Sequence, residues 1–331
     1  MFKRKWTIAL LILLCGFLYT LAQFVLSTNR LQRQVDTLLP GQAQAASSRR
    51  VVLISQEQDN PFWRSIEQGA RQAAGKYGLT LEYTGPFRIN PEEQLSLLER
   101  AIATRPDAII VQGSGESASR NLIDRAESFG IPVVTVDADE PGSHRLFYVG
   151  TDNLAAGKEM GRLVAKATGG KGTIGVLVGT PRADSQRLRL EGLRSVVQQY
   201  PELKIADIRS SDISRLQAAE QTRSLLAAYP ELRAVVGFSS LDGLGAMDTA
   251  QRLGKTGLLL FAFDDLADTR EAVRKGLIEL TLVQQPLEMG AEAVTLLNKY
   301  FHQKTVPDVS FTSISPLDGS GLTESAGESA P

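Results

Sequence analysis

Two apolar runs in this chain end in aspartate. Val133-Val134-Thr135-Val136 leads into Asp137, and Leu260-Phe261-Ala262-Phe263 leads into Asp264. A carboxylate there can accept hydrogen bonds from two neighbouring hydroxyls, and such charge-assisted bonds are the stronger kind. The plainer reading of each is a helix cap or a loop residue. Asn60-Pro61-Phe62-Trp63 has the form of a helix start, with Asn at the cap and Pro in the first turn. That form leaves two large aromatics unexplained; they serve either a core or the C–H faces of a sugar ring. Arg187 and Arg189 carry rigid forks of donors near the start of a helical stretch, where a solvated face is the ordinary explanation. Gln284, just before Gln285 and Pro286, either ends a strand or supplies a donor and an acceptor together.

These residues need a scaffold, and the pattern from Arg50 onward provides one. Short β-branched runs predict strands at 51–55, 79–83, 108–112, 133–137 and 146–150. A second series follows at 173–178, 203–208, 234–238, 258–264 and 279–284. Helical periodicity fills most gaps, as in 61–76, 91–104 and 187–199. Alternating strands and helices imply parallel sheets with crossover helices. Asp137 and Asp264 close comparable runs of β–α units, which favours two sheets over one. Ligands of open parallel sheets bind beyond the carboxyl ends of the strands. Two lobes facing each other would bring both aspartates to a shared cleft.

Several function classes fit poorly. The 331 residues carry a formal net charge of −1, so no overall positive field draws in nucleic acid. Cys15 is the single cysteine, and His144 and His302 stand far apart. No disulfide framework, metal site or cofactor is indicated. Gly113-Ser114-Gly115-Glu116-Ser117-Ala118 fits a loose dinucleotide-binding pattern, with Asp137 about 20 residues on. Against an NAD-dependent enzyme, Glu116 would repel a pyrophosphate, and the pattern follows the third strand of its unit rather than the first.

No charge occurs from Trp6 to Asn29, after Lys3-Arg4-Lys5. As a helix this run would span roughly 36 Å, enough to cross a bilayer with the basic end in the cytoplasm. The competing reading is a cleaved signal peptide with Ala43-Gln44-Ala45 as its site, which lies far beyond the apolar run. The expectation is an uncleaved anchor over 1–29, a stalk over 30–49, a body over 50–315 and a disordered Gly/Ser/Glu-rich tail over 316–331. The body would then stand outside the cytoplasm, in the periplasm or at the cell exterior.

At these residues the chain resembles the type I periplasmic binding proteins, specifically the ribose-binding-protein-like sugar binders. The resemblance runs from about Val51 to about Ile314. It is carried by Asn60 to Trp63, Gly69, Ile131 to Asp137, Gly150-Thr151-Asp152-Asn153, Gly157, Arg189 to Leu193, Gly243 to Ala246, Phe263-Asp264 and Gln284 to Pro286. It implies an α/β fold of two flavodoxin-like lobes joined by three hinge crossings. The first lobe would hold about 50–151 and 285–310, the second 152–284. Ligand contacts would come from Asn60, Phe62, Trp63, Asp137, Arg189, Asp264 and Gln284, with Ser239 where the family commonly has Asn. Ala138 stands where a ribose binder has Arg, and Ile213 where an aromatic is common. Donors that fix particular hydroxyls are therefore missing, and a ligand other than ribose is expected. The implied function is reversible, non-enzymatic capture of a sugar-like ligand. Its partner would be an ABC-type permease or, alternatively, a membrane sensor histidine kinase. DNA-binding relatives of the fold carry a helix-turn-helix where this chain has its apolar run.

Overall fold

The computed structural model describes Gln23 and residues 48–181 and 183–320. The anticipated anchor, nearly all of the stalk and the end of the tail lie outside the described residues. Among the described residues, no helix is long and apolar enough to cross a membrane.

All ten anticipated strands form. β1 (Arg50–Ile54), β2 (Thr80–Thr84), β3 (Ala108–Val111), β4 (Val133–Val136) and β5 (Phe147–Thr151) join β11 (Val309–Thr312) in a first sheet. Its order is β11-β5-β4-β3-β1-β2. β6 (Lys171–Val178), β7 (Glu202–Ser210), β8 (Leu232–Gly237), β9 (Leu259–Phe263) and β10 (Leu280–Val283) join β12 (Ser315–Asp318) in a second, ordered β12-β10-β9-β8-β6-β7. Set aside the outermost strand, and each sheet runs in the 2-1-3-4-5 order of a doubly wound fold. β3, β4 and β5 are buried along their whole length, as parallel strands covered on both faces must be. The edge strands β2 and β7 are partly exposed.

The helices are α1 (Pro61–Tyr77), α2 (Pro91–Ala103), α3 (Ser117–Ser128), α4 (Asn153–Thr168), α5 (Asp184–Val197), α6 (Arg215–Ala228), α7 (Asp242–Arg252), α8 (Ala267–Arg274) and α9 (Pro286–Phe301). Side chains of Asn60, Asn90, Asp152 and Ser214 cap α1, α2, α4 and α6 by accepting from first-turn amides. α5 begins three residues before the apolar periodicity does, because its first turn is polar and faces the cleft.

The chain leaves the first sheet after Thr151, returns to it after β10, and crosses again between Thr312 and Ser315. The start of the expected tail needs correction. Residues 316–318 belong to β12, paired antiparallel with β10, and Pro316 lies opposite Leu282. β12 is an edge strand, where a residue without an N–H is tolerated, so its Pro and Gly-rich surroundings disguised it.

Two helix pairs pack unusually close. α9 covers α1 across Gly290 and Gly69, and α5 covers α4 across Gly192 and Gly157. A Cβ on Gly157 would fall far inside contact distance of the Arg189 carbonyl oxygen. The spacing of α4 and α5 therefore sets where Arg189 stands.

Candidate functional site

The carboxyl ends of both sheets meet at one cleft. Asp137 follows β4 and Asp264 follows β9, each with φ of 65°, a left-handed conformation that Asp tolerates better than most residues. The same local scaffold holds both. The Asp137 amide donates to the Val149 carbonyl and the Asp264 amide to the Leu282 carbonyl, each on the next strand. The Tyr148 hydroxyl donates to the Asp137 carbonyl at 2.7 Å, and the Thr281 hydroxyl to the Asp264 carbonyl at 2.7 Å. Strand end and neighbouring strand thus fix each carboxylate at the cleft.

Each carboxylate is buried and bonded to an amide. Gln112 Nε2 donates to Asp137 at 2.6 Å, and Gln284 Nε2 to Asp264 at 2.8 Å. Arg189 is 3% exposed and forms the centre of the network. Its Nε donates to Asn153 at 2.8 Å, and its two terminal nitrogens to the Phe238 carbonyl and to Gln284 Oε1, each at 2.7 Å. Its guanidinium lies 4.2 Å from the centre of the Phe263 ring. Thr151 also donates to Gln284 Oε1, at 2.8 Å, so this network ties together two of the three inter-lobe crossings.

All eight anticipated residues line one cavity: Asn60, Phe62, Trp63, Asp137, Arg189, Ser239, Asp264 and Gln284. Trp63 is both core and cleft wall: it is buried in the first lobe and meets Phe62 edge to face at 6.3 Å. Asn60 Oδ1 caps α1, and its amide donates to Glu57. Ser239 is buried in the lining beside Asp242, which accepts from the Ser239 amide at 2.8 Å. Arg187, two positions before Arg189, faces solvent and pairs with Asp184 and Glu191. Ala138 is fully buried, and Ile213 is a lining residue.

Sequence reasoning missed Gln56, Gln112, Gln186 and Ser240 in the lining, and Asn153 behind it. Gln112 was within reach, because it directly follows an apolar strand just as Asp137 does. The Gln186 amide is engaged at both ends. It accepts from the Gly179 amide and donates to the Phe238 carbonyl.

The dinucleotide alternative loses its key donors. The Ser114 and Gly115 amides both donate to the buried Glu140 carboxylate, at 3.1 and 2.9 Å. The backbone groups that would cradle a pyrophosphate are already taken by a side chain of the same lobe.

Burial raises the carboxyl of Asp137 above its ordinary value, against the opposing pull of Arg189 and Gln112. For Asp264, burial outweighs Arg189 and Gln284, and the carboxyl is pushed up to about 6. Two opposite pH effects follow. Folded Asp264 holds its proton to higher pH than unfolded Asp264. Its stability contribution is therefore full below about 4 and is lost as pH rises through about 6. A ligand hydroxyl donating to the carboxylate favours the ionised form, so binding has the reverse sign. Affinity is expected to fall as pH drops below about 6, by up to about tenfold per unit for one proton. Titration calorimetry from about pH 5 to pH 7.5 reads this directly; constant affinity across that range would separate Asp264 from the ligand.

The family pattern described as "Periplasmic binding protein domain" matches residues 51–305. The ribose import binding protein RbsB of Escherichia coli strain K12 is 26% identical over 257 residues, covering 78% of this chain and 86% of RbsB. Among solved structures, the glucose-galactose binding protein GanP of Geobacillus stearothermophilus superposes with a TM-score of 0.82 at 37% identity, over 83% of this chain and 99% of GanP. The chain solved in a XylFII-LytSN complex matches with a TM-score of 0.78 at 34% identity, over 83% of this chain and 99% of that one.

Proposed function

The chain belongs to the periplasmic binding protein domain family, and we propose that it captures a neutral monosaccharide between its lobes and presents it to an ABC-type importer. The observation that carries this reading is the cleft itself. Two buried carboxylates, a buried guanidinium and an aromatic pair line one cavity built from both lobes. Hydroxyls donate to the carboxylates, the guanidinium donates to ring or hydroxyl oxygens, and Phe62 and Trp63 cover an apolar face. The names of the relatives, ribose import and glucose-galactose binding, support a sugar. Ribose itself fits less well, because Ala138 and Ser239 replace an arginine and an asparagine. Capture needs no covalent step. Open and closed lobe arrangements coexist, and a ligand touching both lobes shifts the balance to closed.

Part of the proposal concerns address. The uncharged run from Trp6 to Asn29 holds the body at the outer face of the membrane. A second reading is a co-receptor whose closure signals to a membrane histidine kinase. It is supported by the 34% identity to XylFII, solved in complex with LytSN. Affinity capture of the full chain from native membranes separates the two readings by which partner is retained.

The test of sugar capture is titration of the full chain with neutral pentoses and hexoses. The expected affinity for the best of them is micromolar or tighter, about −8 kcal/mol. At a hundredfold excess over Kd, ligand adds about 2.7 kcal/mol of stability. For a body of this size that is a rise in Tm of roughly 5–10 °C. No heat and no shift with any neutral sugar would sink the reading.

A further inference from the structure

The cleft continues past the central site. A second cavity of about 220 Å³ adjoins it and shares Gln56, Gln112, Thr180 and Ala183 with its lining. This cavity too is built from both lobes: Ile89, Pro91 and Gln94 come from the first, Pro181 and Asp212 from the second. The central cavity has a free volume of about 50 Å³. A further cavity of about 450 Å³ adjoins the central site and shares Phe62, Asp264 and Gln284 with it; of the two neighbours, the 220 Å³ cavity is the one whose lining holds a buried donor without a partner.

Within that second lining sits a donor without a partner. Gln94 is 7% exposed, and its Nε2 makes no hydrogen bond. Buried amide donors are nearly always satisfied, so this one needs a partner from outside the chain. Gln94 stands in the first turn of α2, where the Asn90 cap and Pro91 fix the backbone. It occupies the helix face that elsewhere buries Leu98, Ala101 and Ile102, a face where an amide has no packing role. Another part of the first-lobe wall is fixed too, since the Glu140 carboxylate pins the Ser114–Gly115 turn.

The lining chemistry names the class of group that fits. Ile89, Pro91 and Pro181 give apolar surface for a C–H face. Gln94 and Gln56 offer amides. Among the described lining residues the charged side chains are the carboxylates of Glu116 and Asp212. Carboxylates accept from hydroxyls and repel phosphate.

We propose that this cavity is a second subsite, which takes the second ring of a neutral disaccharide, with Gln94 Nε2 donating to one of its oxygens. The proposal rests on sugar capture at the central site and extends it to a longer ligand.

The experiment titrates the full chain with matched pairs: glucose and cellobiose, galactose and β-1,4-galactobiose, xylose and xylobiose, with glucose 6-phosphate added. The expected result is at least one disaccharide binding about tenfold or more tightly than its monosaccharide. Gln94→Leu should then remove most of that gain, leaving monosaccharide affinity within about twofold. Ile89→Trp, which fills the cavity from an independent position, should do the same and covers the case in which the first variant folds poorly. A monosaccharide that binds while no disaccharide binds more tightly would overturn the subsite. So would equal losses for both ligands in either variant, or a preference for glucose 6-phosphate over every neutral disaccharide. Binding of no sugar at all would overturn the central reading, and the subsite with it.

Discussion

Arg189→Ala is expected to abolish sugar binding and to lower Tm by on the order of 10 °C. The guanidinium lies between the fields of two buried carboxylates, and both Asp137 and Asp264 depend on its charge to offset their burial. Removing one partner of a buried ionic network costs about 3–5 kcal/mol, because the remaining charges stay buried without compensation. For a body of this size that corresponds to a fall of roughly 6–20 °C. The loss of binding has a separate cause. Without Arg189, Gln284 Oε1 and the Phe238 carbonyl each lose a donor, and Asn153 Oδ1 loses its partner, so the cleft-facing amide of Gln284 is held by Thr151 alone on its acceptor side. Arg189→Lys separates charge from geometry. It keeps the positive charge and should recover much of the stability, but it cannot reproduce three bonds from a planar fork. Calorimetric titration and thermal melts of both variants test this. Wild-type affinity in Arg189→Ala would remove the residue from the site.

How far the site could be read from sequence differs from residue to residue. Asp137 and Asp264 were visible because an apolar strand ending in a carboxylate is a one-dimensional pattern, and the topology places strand ends at the cleft. Arg187 and Arg189 could not be told apart that way. They lie two positions apart and so face different sides of α5, but which side faces inward is decided by the glycine contact with α4. Gln112 carries the same strand-end signal as the aspartates and was passed over because a neutral amide draws less notice. Gln94 gave no signal at all. Its importance lies in what it fails to bond, which only tertiary structure reveals. The inner strands were legible because buried parallel strands are continuous apolar runs, and the edge strands β2 and β7 because they fill out the same strand–helix alternation. β12 was not, since an edge strand carrying proline beside a polar tail has the composition of a loop.

Gly157→Ala is the second large effect, and it adds a single methyl outside the cavity lining. Its Cβ would press on the Arg189 carbonyl oxygen, which is backbone and cannot rotate away. α5 must then move off α4 by about 1 Å or more. Overpacking of this kind costs about 1–3 kcal/mol. The Arg189 bonds of 2.7–2.8 Å do not survive such a shift in alignment. Affinity is expected to fall by on the order of 10- to 100-fold, since a site displaced by about 1 Å loses its preorganised geometry. Gly161→Ala on the same helix is the control. There the added Cβ meets the Val196 side chain, one turn further from the cleft. It should lower Tm with little change in affinity. Equal losses of affinity in the two variants would mean that α4 acts through general stability, not by placing Arg189.

The triple crossing also dictates an order of assembly for a chain that emerges N-terminus first. α1 emerges early, but the helix that covers its Ile66, Ala70 and Ala73 face is α9, more than 200 residues later. The first lobe therefore waits, with an apolar helix face uncovered, while the whole second lobe is made. Strands β6 to β10 of that second lobe, with α4 and the helices between them, lie in one unbroken stretch, 153–283. That stretch can close its core on contacts local to itself, whereas the first lobe needs a long-range return of the chain. In vectorial synthesis, the part begun first is the part finished last.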